Sequence, residues 1–105
     1  MNKLAGKALN LKKLSKYRKN SVVSKEIVKS VSGNVTLFAF DKGEGLSEHT
    51  SPCDALVYIV EGRAEITISG KSRHLQEGEM IIMPKNKPHA LSAAEAFKMM
   101  LVMIK

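Results

Sequence analysis

The stretch that decides the fold is Asp54-Ala-Leu-Val-Tyr-Ile-Val-Glu-Gly-Arg-Ala-Glu-Ile-Thr-Ile-Ser-Gly70, continued by Lys71-Ser-Arg-His-Leu-Gln-Glu-Gly-Glu-Met-Ile-Ile-Met-Pro84. Ala55 to Val60 is an unbroken apolar run that reads as a buried strand, ended by Glu61-Gly62. Ala64-Glu-Ile-Thr-Ile68 alternates apolar and polar residues, as a strand with one dry face does. Ser69-Gly70 has hairpin chemistry, and Ser72 to Gln76 is the return strand. Met80 to Met83 is a further buried strand that Pro84 stops, because proline cannot donate to a sheet ladder.

Working outward, the same pattern recurs on both sides. Val22 to Lys29 is rich in β-branched residues, and Val35-Thr-Leu-Phe-Ala-Phe40 is a strong strand beyond the turn at 31–34. Ser47 to Pro52 reads as a loop, and Phe97 to Ile104 as a last apolar strand. About nine short strands at this spacing define a sandwich or barrel. No strand–helix–strand alternation occurs, which excludes a parallel α/β sheet. Leu9, Leu11, Leu14 and Tyr17 predict a helical turn over residues 10–17, too short to stand without docking.

The 105 residues suit one domain, divided here into a basic segment, 1–20, and a barrel domain, 21–105. No apolar run approaches the ~20 residues of a membrane helix, so no membrane span is expected. Residues 1–10 lack the apolar stretch of a secretory signal. The single cysteine, Cys53, excludes an internal disulfide and fits a cytoplasmic protein. The net charge of +7 is concentrated in residues 1–30, which hold nine Lys or Arg against one acid. No nucleic-acid motif accompanies this charge, and Tyr17 is the one aromatic residue within it, so a nucleic-acid partner is not expected.

Two glycine-bounded blocks carry the chemistry. The first runs from Gly43 through His49 to Gly62, and the second from Gly78 through Pro84 to His89. In this order and spacing they resemble the two motifs of the cupin superfamily, in its small single-domain form. The resemblance covers about residues 35 to 104 and implies a double-stranded β-helix, or jelly-roll barrel. It also implies a metal site of three histidines and a glutamate. His49 and His89 occupy two of those positions, while Ser51 and Ala55 stand where the second histidine and the glutamate belong. Asn86 replaces a motif glycine but tolerates left-handed backbone. Asp54 is adjacent to the glutamate position, yet strand alternation turns it to the other face.

Two neutral imidazoles supply no anionic ligand, so a divalent ion (Fe, Mn, Ni or Zn) is expected to bind only weakly at His49 and His89. Ser51, Cys53, Tyr58 and Met83 are the expected pocket residues. If the segment is extended, Cys53 shares a face with His49, Ser51 and Ala55. His74 is expected on the surface, since Leu75 is the core residue of its strand. Met80, Met83, Met99, Met100 and Met103 fall in strands that the resemblance places in the barrel. The functional expectation is a small-molecule-binding protein. The alternative is a metal-dependent dioxygenase, isomerase or decarboxylase acting on a small carbonyl or sugar-like substrate. The strand at Val22 to Val28 and the Leu-rich turn need apolar cover, which predicts a homodimer.

Overall fold

The computed structural model describes residues 2–105. A one-turn helix α1 (Leu11–Leu14) precedes eight strands: β1 (Val22–Ser30), β2 (Gly33–Phe40), β3 (Gly45–His49), β4 (Asp54–Ile68), β5 (Lys71–Gln76), β6 (Met80–Met83), β7 (His89–Ser92) and β8 (Phe97–Ile104). The strands form one curled antiparallel sheet in the order β1-β2-β8-β4-β7-β3, with β5 and β6 also paired to β4. The fold is all-β, and the sheet curls into a jelly roll.

β4 organises the barrel. Its first part lies between β6 and β8, and its second part between β5 and β7. One strand therefore serves both walls and turns the corner between them. The turn is made at Gly62, where φ is +79° and the register with β8 slips between Ile59 and Glu61. A Cβ at Gly62 would run into the Ala96 carbonyl and the Phe97 backbone, so glycine is required both for its conformation and for its lack of bulk.

The bulge also explains why two strands were expected here. Before it, Ala55, Val57 and Ile59 point into the core; after it, Ala64 and Ile66 do. One extra residue shifts the inward positions from odd to even numbers, and the sequence reads as two separate strands. Glu61-Gly62 bends a strand of 15 residues rather than ending it, and the described residues form eight strands. A second difference lies at Ser47 to Pro52. Its first residues belong to β3, which is paired on one side to β7 and so needs little hydrophobic signal. The expected helical turn over 10–17 narrows to Leu11–Leu14, with the Asn10 side chain accepting a hydrogen bond from the Lys12 amide.

The core is built where the walls meet. Phe40 and Phe97 stack with ring centroids 4.5 Å apart, and Val57, Ile59, Ile66 and Met99 are fully buried in the same cluster. Such a ring pair adds about 1 kcal/mol beyond area burial. β6 is not the buried strand expected from its apolar run: Met80 and Ile82 are half exposed, and of its four residues Met83 alone is buried.

The N-terminal segment is fastened to the bulged region. The Tyr17 hydroxyl donates to a Glu61 carboxylate oxygen at 2.6 Å. Lys98 Nζ lies 4.9 Å from the Tyr17 ring centroid and 3.8 Å from the Glu61 carboxylate, and it donates to the Lys12 carbonyl. Lys98 is buried, and these three partners replace the water it has lost. Burial, then the hydrogen bond to Glu61, raises the Tyr17 pKa far above the ordinary tyrosine range.

Candidate functional site: a histidine pair in an apolar cavity

β3 and β7 bring the two histidines together. His49 and His89 are cross-strand neighbours, placed opposite one another by a register shift between Leu46 and His49. Their Nε2 atoms are 3.0 Å apart, and the rings meet edge to face with centroids 4.3 Å apart. His49 Nδ1 is 2.8 Å from the Ser47 carbonyl oxygen, and His89 Nδ1 is 3.2 Å from the Lys87 carbonyl oxygen. A carbonyl only accepts, so both Nδ1 atoms must carry the proton. Both Nε2 lone pairs then face one another, and the pair is satisfied by a shared proton, a donor group or a cation.

The loop before β7 fixes this arrangement. Asn86 has φ of +62°, the left-handed conformation expected for it, and its amide donates to the Ser51 carbonyl at 2.7 Å. That bond ties the loop carrying His89 to the segment that follows His49. Burial first, then the charge that His49 can carry, lowers the His89 pKa, with a smaller opposing pull from the Lys87 carbonyl.

The pair borders a cavity of about 300 Å³. Ser51, Ala55 and Met83 line it with His49 and His89. Cys53 and Tyr58 are not among its lining residues. The chain bends at Pro52 and Cys53, so the extended geometry that aligned Cys53 with His49 does not hold; Cys53 is buried, and its amide donates to Ser51 Oγ. Tyr58 instead borders a groove with Leu9, Leu11 and Val60, beside the N-terminal segment. His74 is exposed and 3.6 Å from Glu65.

Sequence reasoning missed Thr50, Leu46, Leu91 and Leu101 as lining residues. The alternation of Leu91 with His89 on β7, and of Leu101 with Met99 and Met103 on β8, was the available signal.

The site does not fit a tightly held divalent ion. Among the described residues, no three His, Cys, Asp or Glu side chains form a metal-holding group. Asp54 is exposed and accepts from the Lys85 amide, away from the cavity. Ala55 faces the cavity, but it is a methyl group flanked by Met83 on β6 and Met103 on β8. The nitrogen spacing does suit two adjacent ligands at right angles about 2.1 Å from an ion, but no anion completes the set.

The two-walled jelly roll with paired histidines at one end is a cupin architecture, and the chain belongs to the cupin family: the cupin domain model matches residues 36–105. The conserved SPY1581 protein of Streptococcus pyogenes, of unknown function, is 39% identical, with a TM-score of 0.93 over 100% of this chain and 92% of that one. A cupin superfamily protein from Desulfitobacterium hafniense is 30% identical, with a TM-score of 0.91 over 99% of this chain and 95% of that one. A curated relative, the polyketide synthase CurC of Streptomyces cyaneus, is 27% identical over 85% of this chain. The chain spans 62% of that relative's length.

Proposed function

We propose that the protein is a small-molecule-binding cupin whose ligand enters the barrel cavity and is held at His49 and His89. The observation that carries this reading is the convergence of two Nε2 atoms, 3.0 Å apart, on a cavity of about 300 Å³. Both imidazoles are fixed by backbone carbonyls, so the polar end of the cavity is preorganised and needs no rearrangement to meet a ligand. Ser51 and Met83 contribute to the wall of the same cavity. A divalent ion such as Fe, Mn, Ni or Zn has two neutral nitrogens to bind, so it is held weakly and is not a resident cofactor. This disfavours the metal-dependent enzyme reading, which needs a retained ion.

Elemental analysis of protein purified without added metal or chelator, beside His49→Ala, tests this reading. Folded, metal-free protein is expected. A stoichiometric ion lost in the variant would return the protein to the metal-dependent enzyme class.

The working state in this reading is a cytoplasmic homodimer. Cys53 is a free thiol, which fits a reducing compartment. β1 ends the sheet, with Val28 half exposed and Val31 94% exposed beside it, as an edge that a second copy could cover. Light scattering at micromolar concentration is expected to give twice the chain mass. Among the described residues, no helix is long and apolar enough to cross a membrane.

A further inference from the structure

We propose that the cavity takes a compact, largely apolar molecule carrying one hydrogen-bond-donating head group, such as a phenol or an alcohol, and that it excludes sugars and polyanions. The inference rests on the reading of the cavity as a small-molecule site and names its ligand class. Three observations carry it.

The first is the row Met83–Ala55–Met103. Ala55 is paired to Met83 on one side and Met103 on the other, and all three line the cavity. The wall facing the ligand at this level is a methyl group between two thioethers. Thioethers are polarizable and flexible, and they adapt to an apolar surface. The second is the rest of the lining. Leu46, Leu91, Met99 and Leu101 extend the apolar surface, and no Lys, Arg, Asp or Glu side chain lines the cavity among the described residues. A sugar or a polyanion would lose its hydration there without replacement, and each polar group left unpaired weakens its binding.

The third is the direction of the polar end. His89 is 4% exposed, and its Nε2 meets that of His49 with both Nδ1 atoms already donating to carbonyls. In the neutral pair both Nε2 atoms are therefore unprotonated, and a ligand donor placed beside them takes the place of a shared proton. Thr50 and Ser51 line the same cavity, and the Ser51 hydroxyl accepts from the Cys53 amide. A single O–H or N–H head satisfies this acceptor focus while the body of the ligand packs on the leucines and methionines. A site built around such an acceptor discriminates strongly against an analogue that lacks the donor.

The methionine methyl groups are built-in reporters. The experiment is a titration of wild-type protein, carrying 13C-labelled methionine methyls, with 4-methylphenol, toluene and galacturonate in turn. The expected result is saturable shifts at Met83, Met99 and Met103 with 4-methylphenol, at least tenfold weaker binding of toluene, and no response to galacturonate. Met80, half exposed on the outside, serves as the internal control. Equal binding of toluene and 4-methylphenol would overturn the role of the head group. Galacturonate moving the same three methyls would overturn the ligand class while leaving the small-molecule reading intact. Silence of those methyls toward all three probes would overturn both.

Discussion

His89 Nε2 lies 3.0 Å from His49 Nε2, with each ring held from behind by a backbone carbonyl. His89 is buried while His49 is exposed, so an unpaired Nε2 on His89 is costly unless something is placed between or beside the two rings. The protein's carbonyl anchors maintain that arrangement, and it gives an otherwise apolar barrel one polar focus.

The same pair makes stability depend on pH. Burial and the neighbouring His49 lower the His89 pKa in the folded protein. Between that value and the unfolded value of about 6.5, the unfolded chain binds more protons, so stability falls as pH falls through this window. Above the window the contribution is complete. The urea midpoint is expected to be lower at about pH 5 than at about pH 7.5, and His89→Gln is expected to shrink that difference. Identical pH profiles for the two proteins would show that His89 is not the group responsible.

Ala55 faces the cavity between Met83 and Met103, so Ala55→Glu would place a carboxylate beside the two imidazoles. Divalent metal affinity is expected to rise by at least about tenfold, because an anionic ligand joins two neutral ones. The apo variant is expected to lose about 1–3 kcal/mol of stability from the buried carboxyl. Competition titration with a chromogenic chelator reads the first effect and urea unfolding the second. Unchanged affinity would mean that the carboxylate does not reach the histidine pair.

Gly62 is the corner of β4. Gly62→Ala introduces a Cβ against the Ala96 carbonyl at a φ of +79°. A loss of more than about 1 kcal/mol is expected, read as a fall in melting temperature. A variant as stable as the wild type would show that the corner tolerates a side chain and that the bulge is set by other contacts.

Tyr17 holds the N-terminal segment to the barrel through Glu61 and Lys98. Tyr17→Phe removes one hydrogen bond to a charged group, worth about 1.5–3 kcal/mol, while keeping the ring under Lys98. Faster trypsin cleavage within residues 2–20 is expected, with the barrel fragment intact. Cleavage at the wild-type rate would assign the docking to the apolar residues instead.

Much of this architecture was legible in the chain, and its gaps have physical causes. Val35 to Phe40 and Phe97 to Ile104 were readable as strands because apolar, β-branched runs bury one face or both, whereas Met80 to Met83 is a strand as expected but a half-exposed one. His49 and His89 were readable from the glycine and proline spacing of their blocks, and Asn86 from its tolerance of left-handed backbone. β4 was misread as two strands because its bulge reverses the inward parity, which pattern reading takes for an interruption. Cys53 was expected in the pocket by parity, which the bend at Pro52 breaks; Tyr58, also expected there, alternates with Ala55 and Val57 and so faces the N-terminal segment. The leucines that complete the cavity come from strands far apart in sequence, and only the closed barrel brings them together.

The most direct measurement is 15N NMR of the imidazole rings of His49 and His89, with and without 4-methylphenol. The account predicts Nδ1-protonated rings in the free protein, and movement of the Nε2 signals of both histidines when the probe binds. Rings protonated at Nε2 and bare at Nδ1, or Nε2 signals indifferent to a probe that occupies the cavity, would contradict it.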